Sequence, residues 1–234
     1  MSNILDEVFH VIDVETTGLD PQKDKIVEIA VTRIHNGESR VSYSQKINPG
    51  ITVPPEASAV HHLTDRDLVH SPSIESVQEA LLSLLSEGTL VAHNAPFDRS
   101  FLSFLGDRAW ICSMRLAKHL WPSAPVYGNQ VLRYYLGLLD IQGFSTPHRS
   151  TDDTLVTAEI FLRELDSCYA IDIRDVPSLI SFCDSPVTID VMPFGKHKGV
   201  PLKNLPSDYV SWVMKNVSDL DPDLRWSLEN RLSR

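Results

Sequence analysis

The alternation of apolar and polar positions predicts strands through the first fifty residues and mostly helices after them. Val8–Val14 is an almost wholly apolar run, the pattern of a strand buried on both faces. Lys25–Ile34 and Arg40–Ile47 read as two further strands, joined by a hairpin turn at His35-Asn36-Gly37-Glu38, and Asn48-Pro49-Gly50 ends the third. Three consecutive strands exclude a purely alternating βαβαβ start. An irregular stretch follows (ITVPPEASAVHHLTDRDL). Apolar residues at 74, 77, 81, 82, 84 and 85 then predict an amphipathic helix capped by Ser73. Thr89–Ala92 and Trp110–Cys112 read as short strands, flanking a helix from Pro96 to Leu105 that proline opens. Further helices are predicted at Met114–Leu120, around Asn129–Leu136 and from Thr151 to about Leu165. This order predicts an α/β domain with a mixed five-stranded sheet covered by helices, over residues 1–170.

The rest of the chain is patterned differently. Residues 171–186 read as a short helix and linker, and residues 187–234 as a small C-terminal α+β module. In that module Val187–Met192 alternates as a strand, and Phe194-Gly195-Lys196-His197-Lys198-Gly199 is a basic turn bracketed by glycines. A helix opens at Leu205-Pro206-Ser207-Asp208 and carries Tyr209, Trp212 and Val213 at core spacing. A unit of under about 50 residues has little else to bury, so Tyr209 and Trp212 are expected in its core. Lys196, His197 and Lys198 are expected on its surface, placed to touch a nucleic-acid backbone.

Composition narrows the class. The 234 residues are 42% hydrophobic, enough for one good core plus a small appendage. No apolar run approaches about 20 residues and no basic-apolar leader opens the chain, so a cytoplasmic protein is expected and a membrane span is not. Cys112, Cys168 and Cys183 are odd in number and far apart, as expected of reduced thiols rather than of a disulfide framework or zinc site. The formal charge of −10 argues against sequence-independent wrapping of nucleic acid but permits a small footprint at a nucleic-acid end. Residues 187–234 are nearly balanced, with Lys196, Lys198, Lys203, Lys215, Arg225, Arg231 and Arg234 against six acids.

Candidate chemistry collects at the ends of elements. Asp13 and Glu15 stand two apart on the first strand and therefore share a face. Thr16-Thr17-Gly18 follows, where the strand breaks and backbone amides become available. Asp98 stands in the first turn of a helix just after a strand, and His148, Asp152 and Asp153 open the long helix. Asp153 shares a helical face with Val156, Thr157 and Ile160, so it is expected to point inward. Asp152 is expected to face solvent or to support the helix N-terminus. Carboxylates at 13, 15, 98 and 153 have no positive partner in their motifs and would repel one another without cations. An oxygen-only set suits Mg²⁺ or Mn²⁺. Two such ions about 3.5–4 Å apart form a clamp for in-line displacement at phosphorus. An imidazole, which changes protonation near neutrality, suits the proton of an attacking water.

DVETTG (Asp13–Gly18), HNAPFD (His93–Asp98) and HRSTDD (His148–Asp153) resemble, in order, the three motifs of the DEDDh family of 3′→5′ exonucleases. A histidine followed by four residues and then the last aspartate, rather than a tyrosine four residues before that aspartate, marks the DEDDh branch. The resemblance implies a ribonuclease-H-like fold, two Mg²⁺ or Mn²⁺ ions held by Asp13, Glu15, Asp98 and Asp153, and His148 as general base. It implies that Thr16, Thr17, Gly18 and Leu19 hold the terminal nucleotide, that Phe97 packs beside the site, and that Asn94 fixes the loop. His61 occupies the place of the family's usual loop histidine, and His62 follows where a glycine is frequent. Ser150 stands where alanine is common. The C-terminal segment resembles a small domain that follows the catalytic domain in some bacterial members. The activity implied is hydrolysis from DNA 3′ ends to nucleoside 5′-monophosphates, single strands preferred and duplex accepted, in repair and recombination. The alternatives are an exoribonuclease of the same family and, remotely, an inactive nucleic-acid-binding module. The last would predict a lost carboxylate or base, and none is missing.

Overall fold

A computed structural model of the protein describes residues 3–230. The chain divides into two compact units, Met1–Cys183 and Asp184–Arg234. The first is built on three antiparallel strands, β1 (Phe9–Thr16), β2 (Ile26–His35) and β3 (Glu38–Lys46). At the β2–β3 hairpin Asn36 and Gly37 both have positive φ, 53° and 76°, as a tight turn matched to strand twist requires. Two short strands, β4 (Thr89–Ala92) and β5 (Trp110–Cys112), join β1 in parallel, giving a mixed sheet of order β3-β2-β1-β4-β5.

The helices of this unit are α1 (Pro55–His61), α2 (Asp65–Leu68), α3 (Ile74–Leu84), α4 (Ala95–Phe101), α5 (Ser113–Leu120), α6 (Asn129–Tyr135), α7 (Ser150–Ala170) and α8 (Val176–Asp184). The longest, α7, lies against β1, β2 and β3. Its Phe161 meets Phe9 edge to face at 5.0 Å between ring centroids, and its Thr154 accepts a buried hydrogen bond from Thr32 at 2.9 Å. One core runs beneath both parts of the sheet, joining Val11, Leu90 and Ile111 of the strands to Leu81, Leu116 and Phe161 of the helices.

Several boundaries differ from the sequence expectation, each for a local reason. Strand β1 continues past Val14 to Thr16, with an irregular register between Glu15 and Thr16, so both of its acids are strand residues. The stretch expected to be irregular holds α1 and α2, which bury Ala57, Leu63 and Leu68 against Val27. Its period is too short to read as helix. His62, at the position where glycine is frequent, adopts the left-handed conformation (φ 62°) that ends α1, and its N–H bonds the Ser58 carbonyl. Ser73 does precede α3, but its side chain makes no capping hydrogen bond. The helix from Pro96 shortens into α4 and a 3₁₀ turn at Ser103–Leu105. Residues 171–186 are less of a linker than expected, because α8 buries Leu179 and Cys183 in the first unit's core. The three cysteines are buried and form no disulfide.

The second unit contains α9 (Ser207–Asn216) and α10 (Pro222–Asn230) over a core of Met192, Leu202, Leu205, Val210, Val213, Leu220, Leu224 and Leu228. Two expectations are corrected here. Val187–Met192 is not a strand: among the described residues its ladder is the single bridge between Val191 and Pro201, with no neighbouring strand to extend it. Trp212 is not core: it is 56% exposed, while Tyr209 is half-buried. The leucines and valines close this core without the indole. Arg231 and Arg234 lie outside the described residues. Among the described residues no helix is long and apolar enough to cross a membrane.

Candidate active site

Strand geometry brings the first two acids together. Asp13 and Glu15 lie on the face of β1 that α7 covers, the face marked by Phe9. Because β4 runs parallel to β1, its end delivers α4 to the same edge of the sheet, and Asp98 with it. The start of α7 arrives there too and contributes Asp153. Carboxylate oxygens of Asp13, Glu15 and Asp153 lie within 4.8 Å of one another. All are oxygen donors, a set that fits a hard divalent cation such as Mg²⁺ or Mn²⁺. A cavity of about 410 Å³ opens over them, lined also by Asp98, His148, Asn94 and Phe97.

The electrostatics record the crowding. Burial pushes the Asp13 carboxyl well above its ordinary range, with Asp98, Glu15 and Asp153 adding repulsion. Burial and the charges of Asp153 and Glu28 push Glu15 up to about 8. Burial raises Asp98 to about 7, against the hydrogen bond that its Oδ1 accepts from Val14 N–H at 3.2 Å. Asp153 is raised by burial as well, although its two oxygens accept from His148 N–H (2.9 Å) and the Gln130 amide (3.3 Å). His148 is exposed at the cavity rim, held at φ 62° by that backbone contact.

Other expected residues fall elsewhere. Thr16, Thr17, Gly18, Leu19 and His61 do not line the cavity. The Thr16 hydroxyl donates to the Gly18 carbonyl at 2.6 Å, and the Thr17 hydroxyl bonds both Asp24 and Lys25 N–H. A Cβ at Gly18 would come 2.5 Å from the Asp24 carboxylate, so a side chain there would push that carboxylate off its hydrogen bonds with Thr17 and Asp20 N–H. Leu19 projects from the turn, 83% exposed. His61 is buried and accepts from Leu63 N–H through Nδ1 at 3.0 Å; burial lowers its pKa. Asp152 corrects the solvent-facing expectation. It is 6% exposed and binds Ser145 through the backbone N–H (2.6 Å) and the hydroxyl, fixing the loop before α7.

Sequence reasoning missed the residues that hold these groups in place. Glu28, directly opposite Glu15 in the β1–β2 register, is buried and gripped by Arg149 through Nη2 (2.6 Å) and Nε (3.1 Å). Ser150 N–H donates to the same carboxylate at 3.0 Å. Burial would raise the Glu28 carboxyl, but these donors outweigh it and hold it below its ordinary range. Asn129 bonds the Asp153 carbonyl and Thr157, and His93 Nε2 pairs with the Tyr127 carbonyl at 2.8 Å. The available signal was a lone glutamate inside the apolar KIVEIA strand, a position where burial demands a partner.

Two outcomes follow from this geometry. Arg149→Met leaves Glu28 buried without its cation and should cost about 3–5 kcal/mol of stability in urea denaturation. The Glu28→Gln, Arg149→Met double variant should recover part of that loss. A carboxyl whose folded pKa is raised stabilises the fold while protonated. For Glu15 that contribution is present below 4.5 and is lost as pH rises through about 8. In chelator the melting temperature should therefore fall from about pH 5 to about pH 8, and Mn²⁺ should raise it more at the higher pH. A flat profile in chelator would show that the acids are not crowded.

Comparison with known proteins agrees with the geometry. Residues 10–161 match the family model described as "Exonuclease", and residues 186–217 match one described as "Putative quorum-sensing-regulated virulence factor". Exodeoxyribonuclease 10 of Escherichia coli (strain K12) is 30% identical over 238 residues, covering 96% of this chain and 99% of that protein. DNA polymerase III PolC-type of Thermotoga maritima is 34% identical over 197 residues, 81% of this chain but 14% of the polymerase. Exonuclease X, solved in complex with 5′ overhanging duplex DNA, superposes with a TM-score of 0.61 at 28% identity, over 75% of this chain and 99% of that one. With a ribonuclease-H-like sheet, its acids gathered at one edge and relatives of this kind, the chain belongs to the DEDDh family of 3′→5′ exonucleases, enzymes acting on nucleic acids.

Proposed function

We propose that this exonuclease acts on DNA, removing nucleoside 5′-monophosphates from free 3′ ends, with single strands preferred and duplex accepted. The observation that carries the reading is the crowding of Asp13, Glu15 and Asp153 within 4.8 Å beside His148 and Asp98. The full-length similarity to an exodeoxyribonuclease supports DNA over RNA, as does the DNA bound to the structural neighbour.

In this reading Asp13, Glu15, Asp98 and Asp153 hold two Mg²⁺ or Mn²⁺ ions. When bound, such ions activate water and stabilise the charge developing on the leaving 3′ oxygen. The hydrogen bond from Val14 N–H orients Asp98 for this task, and those from His148 N–H and Gln130 orient Asp153. His148 accepts a proton from the attacking water. As the new P–O bond forms, the bond from phosphorus to the 3′ oxygen breaks. That oxygen takes a proton from solvent water and leaves as the 3′-hydroxyl of the shortened strand. Asn94 and Phe97, on the cavity wall, position the terminal nucleotide, and exposed Leu19 packs on its base. Thr16, Thr17 and Gly18 act indirectly, by shaping the turn that presents Leu19. In the second unit Lys196, His197 and Lys198 contact the DNA backbone.

A time course with Mg²⁺ on 5′-labelled single-stranded DNA, single-stranded RNA and a 3′-recessed duplex tests this directly. A ladder shrinking from the 3′ end on DNA, absent in Glu15→Gln and much slower on RNA, is expected. A ladder mainly on RNA would move the substrate to RNA and leave the chemistry intact, whereas no ladder would refute the enzyme. His148→Ala should bind DNA as before and slow the chemical step by about 10²–10⁴-fold. Near-wild-type turnover in that variant would remove the histidine from the mechanism.

A further inference from the structure

The second unit exposes an aromatic groove that its own stability does not require. The core beneath α9 is complete without Trp212, yet the indole is 56% exposed and Phe194 is 37% exposed beside it. Phe194, Lys196, Tyr209 and Trp212 line a cavity of about 680 Å³, larger than the one over the acids. The Tyr209 and Trp212 rings lie nearly parallel, at 18° and 6.4 Å between centroids, so two flat faces are presented in similar orientation. The basic turn packs directly on this platform. His197 meets the Tyr209 ring at 4.4 Å, and Lys196 Nζ stands 5.4 Å from its centroid. Gly195, at φ 70°, makes that approach possible: a Cβ there would fall 2.9 Å from the Tyr209 hydroxyl.

The chemistry of the lining selects the occupant. An aromatic cage could take a cation, but Lys196 already stands over the tyrosine ring. What remains is flat apolar surface with cations at its edge: Lys196 and Lys198 on the turn, and Lys215 one helical turn beyond Trp212 on α9. Asp208, at the start of α9, is the opposing charge in the lining. Flat faces beside ammonium groups complement an anionic backbone carrying π-faced bases, the composition of sequence-tolerant single-strand sites. We propose that this groove stacks an unpaired base of single-stranded DNA on Trp212, with Lys196 on an adjacent phosphate. The inference rests on the nucleic-acid reading above and adds a second binding site, built from aromatic faces as well as basic side chains.

The test uses the full chain in chelator, where the metal-free acids repel the DNA backbone and hydrolysis is not supported. Anisotropy of labelled oligothymidylate and of an abasic strand of equal length reads the affinity. Trp212→Ala should weaken oligothymidylate binding by about 5–100-fold and leave the abasic strand unchanged, with Trp212→Phe close to wild type. Lys196→Ala should weaken both strands and lower the salt slope by about one. Equal binding of oligothymidylate by wild type and Trp212→Ala would overturn the proposal and leave the groove to another ligand, a proline-rich peptide being the obvious class. Equal weakening of both strands by Trp212→Ala would overturn it too, as would no binding by wild type in chelator. A 3′ ladder from wild type combined with any of these results would remove the groove alone. Trp212-dependent base binding without a ladder would instead remove the catalytic reading and keep the groove.

Discussion

Like-charge crowding at one end of β1 is the constraint around which the first unit is arranged. Asp13 and Glu15 share a face, Glu28 stands directly across from Glu15, and the start of α7 brings Asp153 into the same space. Charges this close, out of water, cannot all persist without a counter-charge. The protein neutralises one of them permanently. Arg149 and Ser150 N–H satisfy Glu28, whose carboxyl stays below its ordinary range. The others are left raised, Glu15 to about 8, a crowding that a divalent cation held by Asp13, Glu15 and Asp153 would relieve. One ion pair thus separates the acid that is neutralised from those whose pKa stays raised.

The same pair ties two distant parts of the chain. Helix α7 is anchored along its length by Phe161 on Phe9 and by Thr154 on Thr32, and at its start by Ser150 and Arg149 on Glu28. Its rotation about its own axis is therefore fixed, and with it the direction of Asp153. The loop before it is fixed independently, by Asp152 on Ser145. His148 lies between these two anchors, its N–H on Asp153. Its side chain is exposed, while the backbone that carries it is held.

The second unit solves a different problem. It is too small to spare apolar residues, yet it leaves Trp212 in solvent and spends leucine and valine on the interior. Its glycine-bracketed turn is packed on Tyr209 with no room for a side chain at Gly195. An ordered basic turn packed beside an exposed aromatic is the arrangement on which the proposed single-strand site rests.

Much of this was readable in one dimension. Period-two alternation and the Asn-Gly turn define the three-stranded start, and two acids two apart on a strand must share a face. The order of the motifs identifies the family, and the helical face shared with Val156 and Ile160 selects Asp153, whose carboxylate lies beside Asp13 and Glu15, although Asp152 is buried as well. What the sequence left open depends on partners far away in it. Glu28 finds Arg149 across 121 positions, and neither residue announces the other. Thr17 and His61 stand in expected binding motifs, yet local hydrogen bonds to Asp24, Lys25 and Leu63 occupy them. Asp152 turns inward because Ser145 is there to receive it, and Trp212 stays outside because the small core closes without it. Periodicity and chemistry along the chain determined which elements form and which acids meet at one edge of the sheet. Only the tertiary structure decided which polar groups are consumed as partners and which remain free, because burial and pairing are properties of neighbours in space.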